Sequence, residues 1–132
     1  MKIISCNRYE NDDKRPVGIV TTIYNREDEI IRNAFKNLIS KNKLEDSKVW
    51  LLMSDDKGYT TCLNSMDIIG HLVSVTIMGK DIQCEFEIFD NHKGNMFFNL
   101  VETYVNKDQL PEIYYNVVYD GNNIQEICYF IC

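Results

Sequence analysis

The sequence has no run of about 18 consecutive apolar residues, the length a membrane-crossing helix needs. Its opening "MKIISCNRYENDD" turns polar too early to form the apolar core of a secretory signal. The chain is therefore expected to be soluble, with no membrane partner, and to stay in the compartment where it is made. It also lacks any basic cluster longer than "DKR", and its formal net charge is -6. Nucleic-acid binding draws its affinity from neutralised phosphates, so nucleic acid is not expected as a partner. The ligand types are His71, His92 and five cysteines, no CxxC or HExxH occurs, and Cys128 and Cys132, four apart on a strand, lie beyond joint reach of one ion, so neither a metal nor another cofactor is expected. A GxSxG nucleophile turn, an internal repeat and a low-complexity linker are missing as well.

What is present suits one ordinary core. With 132 residues, 45% of them hydrophobic and 11% aromatic, residues 1–132 read as a single domain. The five cysteines, Cys6, Cys62, Cys84, Cys128 and Cys132, are odd in number and mostly set in apolar alternations. They read as reduced, half-buried thiols rather than a disulfide framework.

After the polar run "NRYENDDKRP", "VGIVTTIY" predicts a strand over Val17–Tyr24. "NREDEIIRNAFKNLISKNK" predicts a helix with Asn25 as its N-cap, Glu27, Asp28 and Glu29 at the positive end of its dipole, and Lys41 and Lys43 near the negative end. Ile30, Ile31, Ala34, Phe35, Leu38 and Ile39 make its apolar face. "KVWLLM" reads as a strand, and "SDDKGYTTCLNS" as a loop with a brief strand around Tyr59–Leu63.

"HLVSVTIM" and "IQCEFEIF" alternate on either side of Gly79, Lys80 and Asp81, which predicts a hairpin. Strict alternation places His71, Val73, Val75 and Ile77 on one face and Ser74 and Thr76 on the other. "KGNMFFNLVETYV" predicts a second helix through Phe97, Leu100, Val101 and Tyr104, and "EIYYNVVYDGNNIQEICYFIC" a closing hairpin about "DGNN". Two helices and about six strands, mostly adjacent in sequence, favour an α+β fold: a mainly antiparallel sheet or barrel with two flanking helices.

His71 reads three ways: a satisfied residue on the apolar side of its strand, a metal ligand, or a base. A base needs a nucleophile within hydrogen-bond reach, and folding could supply Ser54, Ser65, Ser74, Cys84 or Cys128. "SDDKG" and "NREDE" are carboxylate-rich but lie at a loop and a helix start, where solvated carboxylates are ordinary. "DNHKGN" could close over a phosphate or peptide, because Gly94 and the following helix N-terminus offer free N–H groups, or be a plain helix entry.

The order "IYNREDEIIRNAFKNLISKNK", "VWLLMSDDKG", "NSMDIIGHLVSVTIMGKDIQCEFEIFDNHKGNMFFNLVETY" and "EIYYNVVYDGNNIQEICYFI" resembles the prohead (capsid-maturation) serine proteases of T4-like tailed bacteriophages. The best block runs from Asp67 to Leu100, where Asp67, His71, Val73, Gly79, Ile82, Ile88, Asp90 and Gly94 match the family's pattern around its catalytic histidine. The departures matter. Asn91-His92 replaces the family's Thr-Pro, "WLLMSDD" lacks the histidine of the family's upstream strand, and Tyr114, Tyr115 and Asn116 stand where the resemblance puts the nucleophilic serine. A tyrosine is too bulky, and its phenoxide too stabilised, to replace that serine simply.

The resemblance thus implies a prohead-protease-like fold with no catalytic residues and His71 as a vestige. The expected role is a structural or accessory protein of the phage head, working by protein contacts with capsid or other virion proteins, first in the host cytoplasm and then in the virion. Binding candidates are Tyr114, Tyr115, Asn116 and His92, with Tyr119 and Tyr129 as further contact tyrosines. Two rival expectations stand beside it: a protease still active through His71 and another nucleophile such as Ser74 or Cys128, and a phage-encoded inhibitor of a host protein.

Overall fold

The computed structural model describes residues 2–10, 17–25, 29–40, 50–54, 68–106, 113–120 and 123–131. They form, in chain order, β1 (Lys2–Arg8), β2 (Gly18–Asn25), α1 (Glu29–Ser40), β3 (Trp50–Ser54), β4 (Ile68–Met78), β5 (Asp81–Ile88), α2 (His92–Asn106), β6 (Ile113–Asp120) and β7 (Asn123–Ile131). The strands make one sheet in the order β1-β2-β5-β4-β3-β7-β6. Its antiparallel core is the four-strand run β1-β2-β5-β4, continued antiparallel by β3, then parallel from β3 to β7 and antiparallel to β6. The α+β class with a mainly antiparallel sheet and two helices matches expectation. Closure into a barrel does not: β1 and β6 end the sheet on opposite sides.

The alternation of β2 and β5 explains the core. Val20, Thr22 and Tyr24 face one way in β2, as do Ile82, Cys84, Phe86 and Ile88 in β5, and all are buried. Ala34 and Phe35 of α1 and Phe97, Phe98 and Val101 of α2 join the same buried cluster, so both helices cover this face. Burying each large apolar side chain contributes about 1.5–3 kcal/mol. Tyr24 and Phe35 meet at a ring separation of 6.4 Å.

Gly18 sets how closely α2 approaches. A Cβ there would lie 2.8 Å from the Phe98 ring and 2.9 Å from Arg8 Cα, so no larger residue fits without displacing backbone. Arg8, opposite Gly18, then lies over the Phe98 ring at 4.8 Å and donates to Glu102 and, at 3.0 Å, to Asn99. Gly79, with φ of 60°, takes the left-handed conformation that a two-residue hairpin loop between Met78 and Asp81 requires.

Two local readings change, and a third falls outside the described residues. β1 forms where no strand was expected, just ahead of the polar run and into its first residues, because Ile3 reaches the core although one exposed residue, Ile4, bulges out beside it. Asn25, expected to cap α1, is the last residue of β2 and pairs with Asp81. The strand expected over residues 59–63, together with Lys41, Lys43, Cys62, Ser65, Asp67 and Cys132, lies outside the described residues.

Candidate functional site

β4 carries a bulge that decides where His71 points. Leu72 pairs with Phe86, but Ser74, not Val73, pairs with Glu85, so Val73 is an inserted residue. One insertion reverses the alternation. Beyond it, Val75 and Ile77 pair with buried Cys84 and Ile82 and pack on the core. Before it, Leu72 keeps the core side and His71, opposite Glu87, takes the other. The expectation that His71 shares the apolar face with Val75 and Ile77 is therefore overturned: it belongs to the face turned away from α1 and α2, among Ser74, Gln83, Glu85 and Glu87.

On that face His71 Nε2 lies 3.1 Å from Glu87 Oε1, and the Tyr9 hydroxyl donates to the other carboxylate oxygen, Oε2, at 3.0 Å. With Glu87 ionised, Nε2–H is the donor and the neutral ring keeps its lone pair on Nδ1. The Phe89 ring stacks on the imidazole at 5.3 Å with an interplanar angle of 25°. His71 and Glu87 are both about a quarter exposed, at 24% and 27% of their side chains. Burial, then the bond to Glu87 and the charges of Glu87 and Glu85, push the Tyr9 phenol up to about 12, so Tyr9 stays a donor at neutral pH.

This is the orienting half of a nucleophile–base pair: a carboxylate fixes the imidazole and leaves the second nitrogen available. Among the described residues no hydrogen bond joins a hydroxyl or thiol to that second nitrogen. Ser74 is on the same face but two register steps along, about 7 Å, and makes no hydrogen bond to His71. Cys84 is on the opposite face, fully buried, and burial pushes its thiol up to about 12, which removes it as a partner of His71. Cys128 lies on β7, two strands from β4.

Tyr114, Tyr115 and Asn116 lie on β6, the far edge of the sheet, three strands from β4. That separation is about 14 Å at ordinary strand spacing, too far for a hydrogen bond to His71. The sheet order thus keeps Tyr114, Tyr115 and Asn116 apart from His71. His92 is the exposed first residue of α2.

The anion-binding reading of "DNHKGN" is corrected by its own cap. Asn91 Oδ1 takes the Gly94 N–H at 2.7 Å, Asn91 O takes the Asn95 N–H at 2.9 Å, and Asn91 Nδ2 ties the loop to Ile68 O of β4 at 3.0 Å. The N–H that was to meet an anion is already satisfied. Among the described residues, no group of three or more His, Cys, Asp or Glu side chains could hold a metal ion, and no helix is long and apolar enough to cross a membrane.

Sequence reasoning missed Tyr9, Glu87 and Phe89 as partners of His71. Glu87 was legible as a polar-face residue, but its pairing with His71 follows from the bulge, and a bulge leaves no mark on an apolar alternation. Comparison with protein-family models, with curated proteins and with solved structures finds no match to this chain.

Proposed function

We propose that the chain is a non-catalytic domain that works through protein–protein contacts, a prohead-protease-like structural or accessory component of a tailed-phage head. The observation that carries the non-catalytic part is the environment of His71. Glu87 holds one nitrogen, Phe89 covers the ring face, and among the described residues no hydroxyl or thiol reaches the other nitrogen. The position of β6 supports the same reading, since the segment where the resemblance puts a nucleophile holds Tyr114, Tyr115 and Asn116 and lies at the far edge of the sheet. The assignment to a phage head rests on the resemblance of Asp67–Leu100 to the protease family and on the altered residues within the pattern.

Two measurements test the two parts. Incubation with a serine-reactive phosphonate or a thiol alkylator, followed by intact mass, should give no stoichiometric adduct that disappears in His71→Ala. A single adduct with that dependence would establish a surviving nucleophile and overturn the non-catalytic reading. Quantitative mass spectrometry of purified particles from the producing phage should find the chain at a fixed copy number, and its absence would overturn the head assignment.

A further inference from the structure

We propose that β6 is a self-association edge: two copies of the chain pair β6 with β6, antiparallel, about a two-fold axis through Asn116, and so join their sheets into one. The inference rests on the reading that the protein works by protein contacts and names one such contact.

The two edges of the sheet differ in how they are protected. Unpaired edge strands invite pairing with another chain, and proteins blunt them with bulges, Pro and basic residues. β1 carries two of these devices: Ile4 is an inserted residue in its middle, and Lys2 and Arg8 stand at its ends. β6, "IYYNVVYD", has no Lys, Arg or Pro. The register shift between β6 and β7 falls on β7, where Tyr119 pairs with Ile124 and Val118 with Glu126, so β6 itself runs without an inserted residue. Among the described residues β6 pairs with β7 alone, which leaves eight residues of backbone at the edge.

Residues 113–119 of β6 are self-complementary in a register that a two-fold axis permits, with Asp120 falling beyond the match. Such an axis, normal to an antiparallel pair, sets one residue opposite its own copy. With Asn116 on the axis, Tyr115 stands opposite Val117 of the second copy, Tyr114 opposite Val118, and Ile113 opposite Tyr119. Every such pair joins one aromatic to one β-branched residue, a combination that stabilises cross-strand pairing. Moving the axis to Val117 would set Tyr114 opposite Asp120 and lose this match. The pairing adds a strand to a free edge, the backbone-driven mode by which sheets recruit partners.

The test uses the full chain. Analytical ultracentrifugation over a concentration series should show a species of twice the 15.5 kDa chain mass. Hydrogen exchange should show protection of residues 113–120 that is lost on dilution, while β4 and β5 stay protected throughout. Asn116→Lys puts two like charges face to face on the axis and should weaken association by about tenfold or more. Asn116→Gln should leave it unchanged. If Asn116→Lys also loses protection in β4 and β5, the concentration dependence in the unmodified chain decides alone. A monomer at every concentration, or a dimer whose concentration-dependent protection lies outside 113–120, overturns the proposal. Particle mass spectrometry separates this from the functional reading, because a monomer found in phage heads refutes only the β6 pairing, and a β6-paired dimer absent from heads refutes only the head assignment.

Discussion

The two faces of strand β5 show how one alternation can serve opposite ends. Ile82, Cys84, Phe86 and Ile88 are each at 0% exposure beneath the two helices, while Gln83, Glu85 and Glu87, one residue away in every case, are half-exposed on the other side. The helix-covered face is held by apolar burial and close approach, with Gly18 making room for Phe98. The face turned away from α1 and α2 carries directional contacts still in reach of water: hydrogen bonds from Tyr9 and His71 to Glu87, and the stack of Phe89 on the His71 ring. The first kind of contact is costly to break. The second kind contributes little stability and instead fixes how the His71 ring is oriented.

The largest effect should come from hollowing the covered face. Phe86→Ala is expected to cost about 3–5 kcal/mol in denaturant unfolding, since the ring is fully enclosed and the cavity cannot collapse freely. A loss below about 1 kcal/mol would mean that α2 does not seat there as described. Gly18→Ala comes next, at about 1–3 kcal/mol, because the added methyl meets Phe98 and the β1 backbone rather than open space.

Alkaline pH reads one residue from each face. Cys84 and Tyr9 both have folded-state values raised to about 12, so the folded chain holds these protons more tightly than the unfolded chain does. Their contribution is complete below the unfolded values and is lost as pH rises, from about 9 for the thiol and about 10 for the phenol, towards 12. Stability should therefore fall across that window, and Tyr9→Phe should fall less steeply than the unmodified protein above pH 10. Equal slopes would show that neither burial nor the bond to Glu87 holds the phenol proton.

The smallest effect is expected at the candidate site itself. His71→Ala should change stability by about 1 kcal/mol or less, the value of a partly exposed pair. A loss near that of Phe86→Ala would place His71 in the core after all and erase the contrast between the faces.

Much of this was legible beforehand because it depends on local pattern. The hairpin about Gly79, the apolar runs of α1 and α2 and the strand at Gly18–Asn25 follow from periods of two and 3.6 residues, which any segment carries within itself. β1 was not legible. Its apolar positions are interrupted by the bulged Ile4 and followed by polar residues, so its strand character comes from pairing with β2. His71 was legible as a candidate and misplaced by face, because the alternation was read straight through Val73.

The amino-acid order alone determined the α+β class, most of the elements and the residues that one face of each would bury, since these are set by spacing along the chain. Only the tertiary structure decided that the sheet stays open, that β3 runs parallel to β7, that Glu87 and Phe89 attend His71, and that β6 is left at an edge among the described strands. Those outcomes depend on which distant strands pair and in what register. Strand pairing is a choice among competing long-range partners, and a single inserted residue at Val73 reverses a face without altering the composition that announces it.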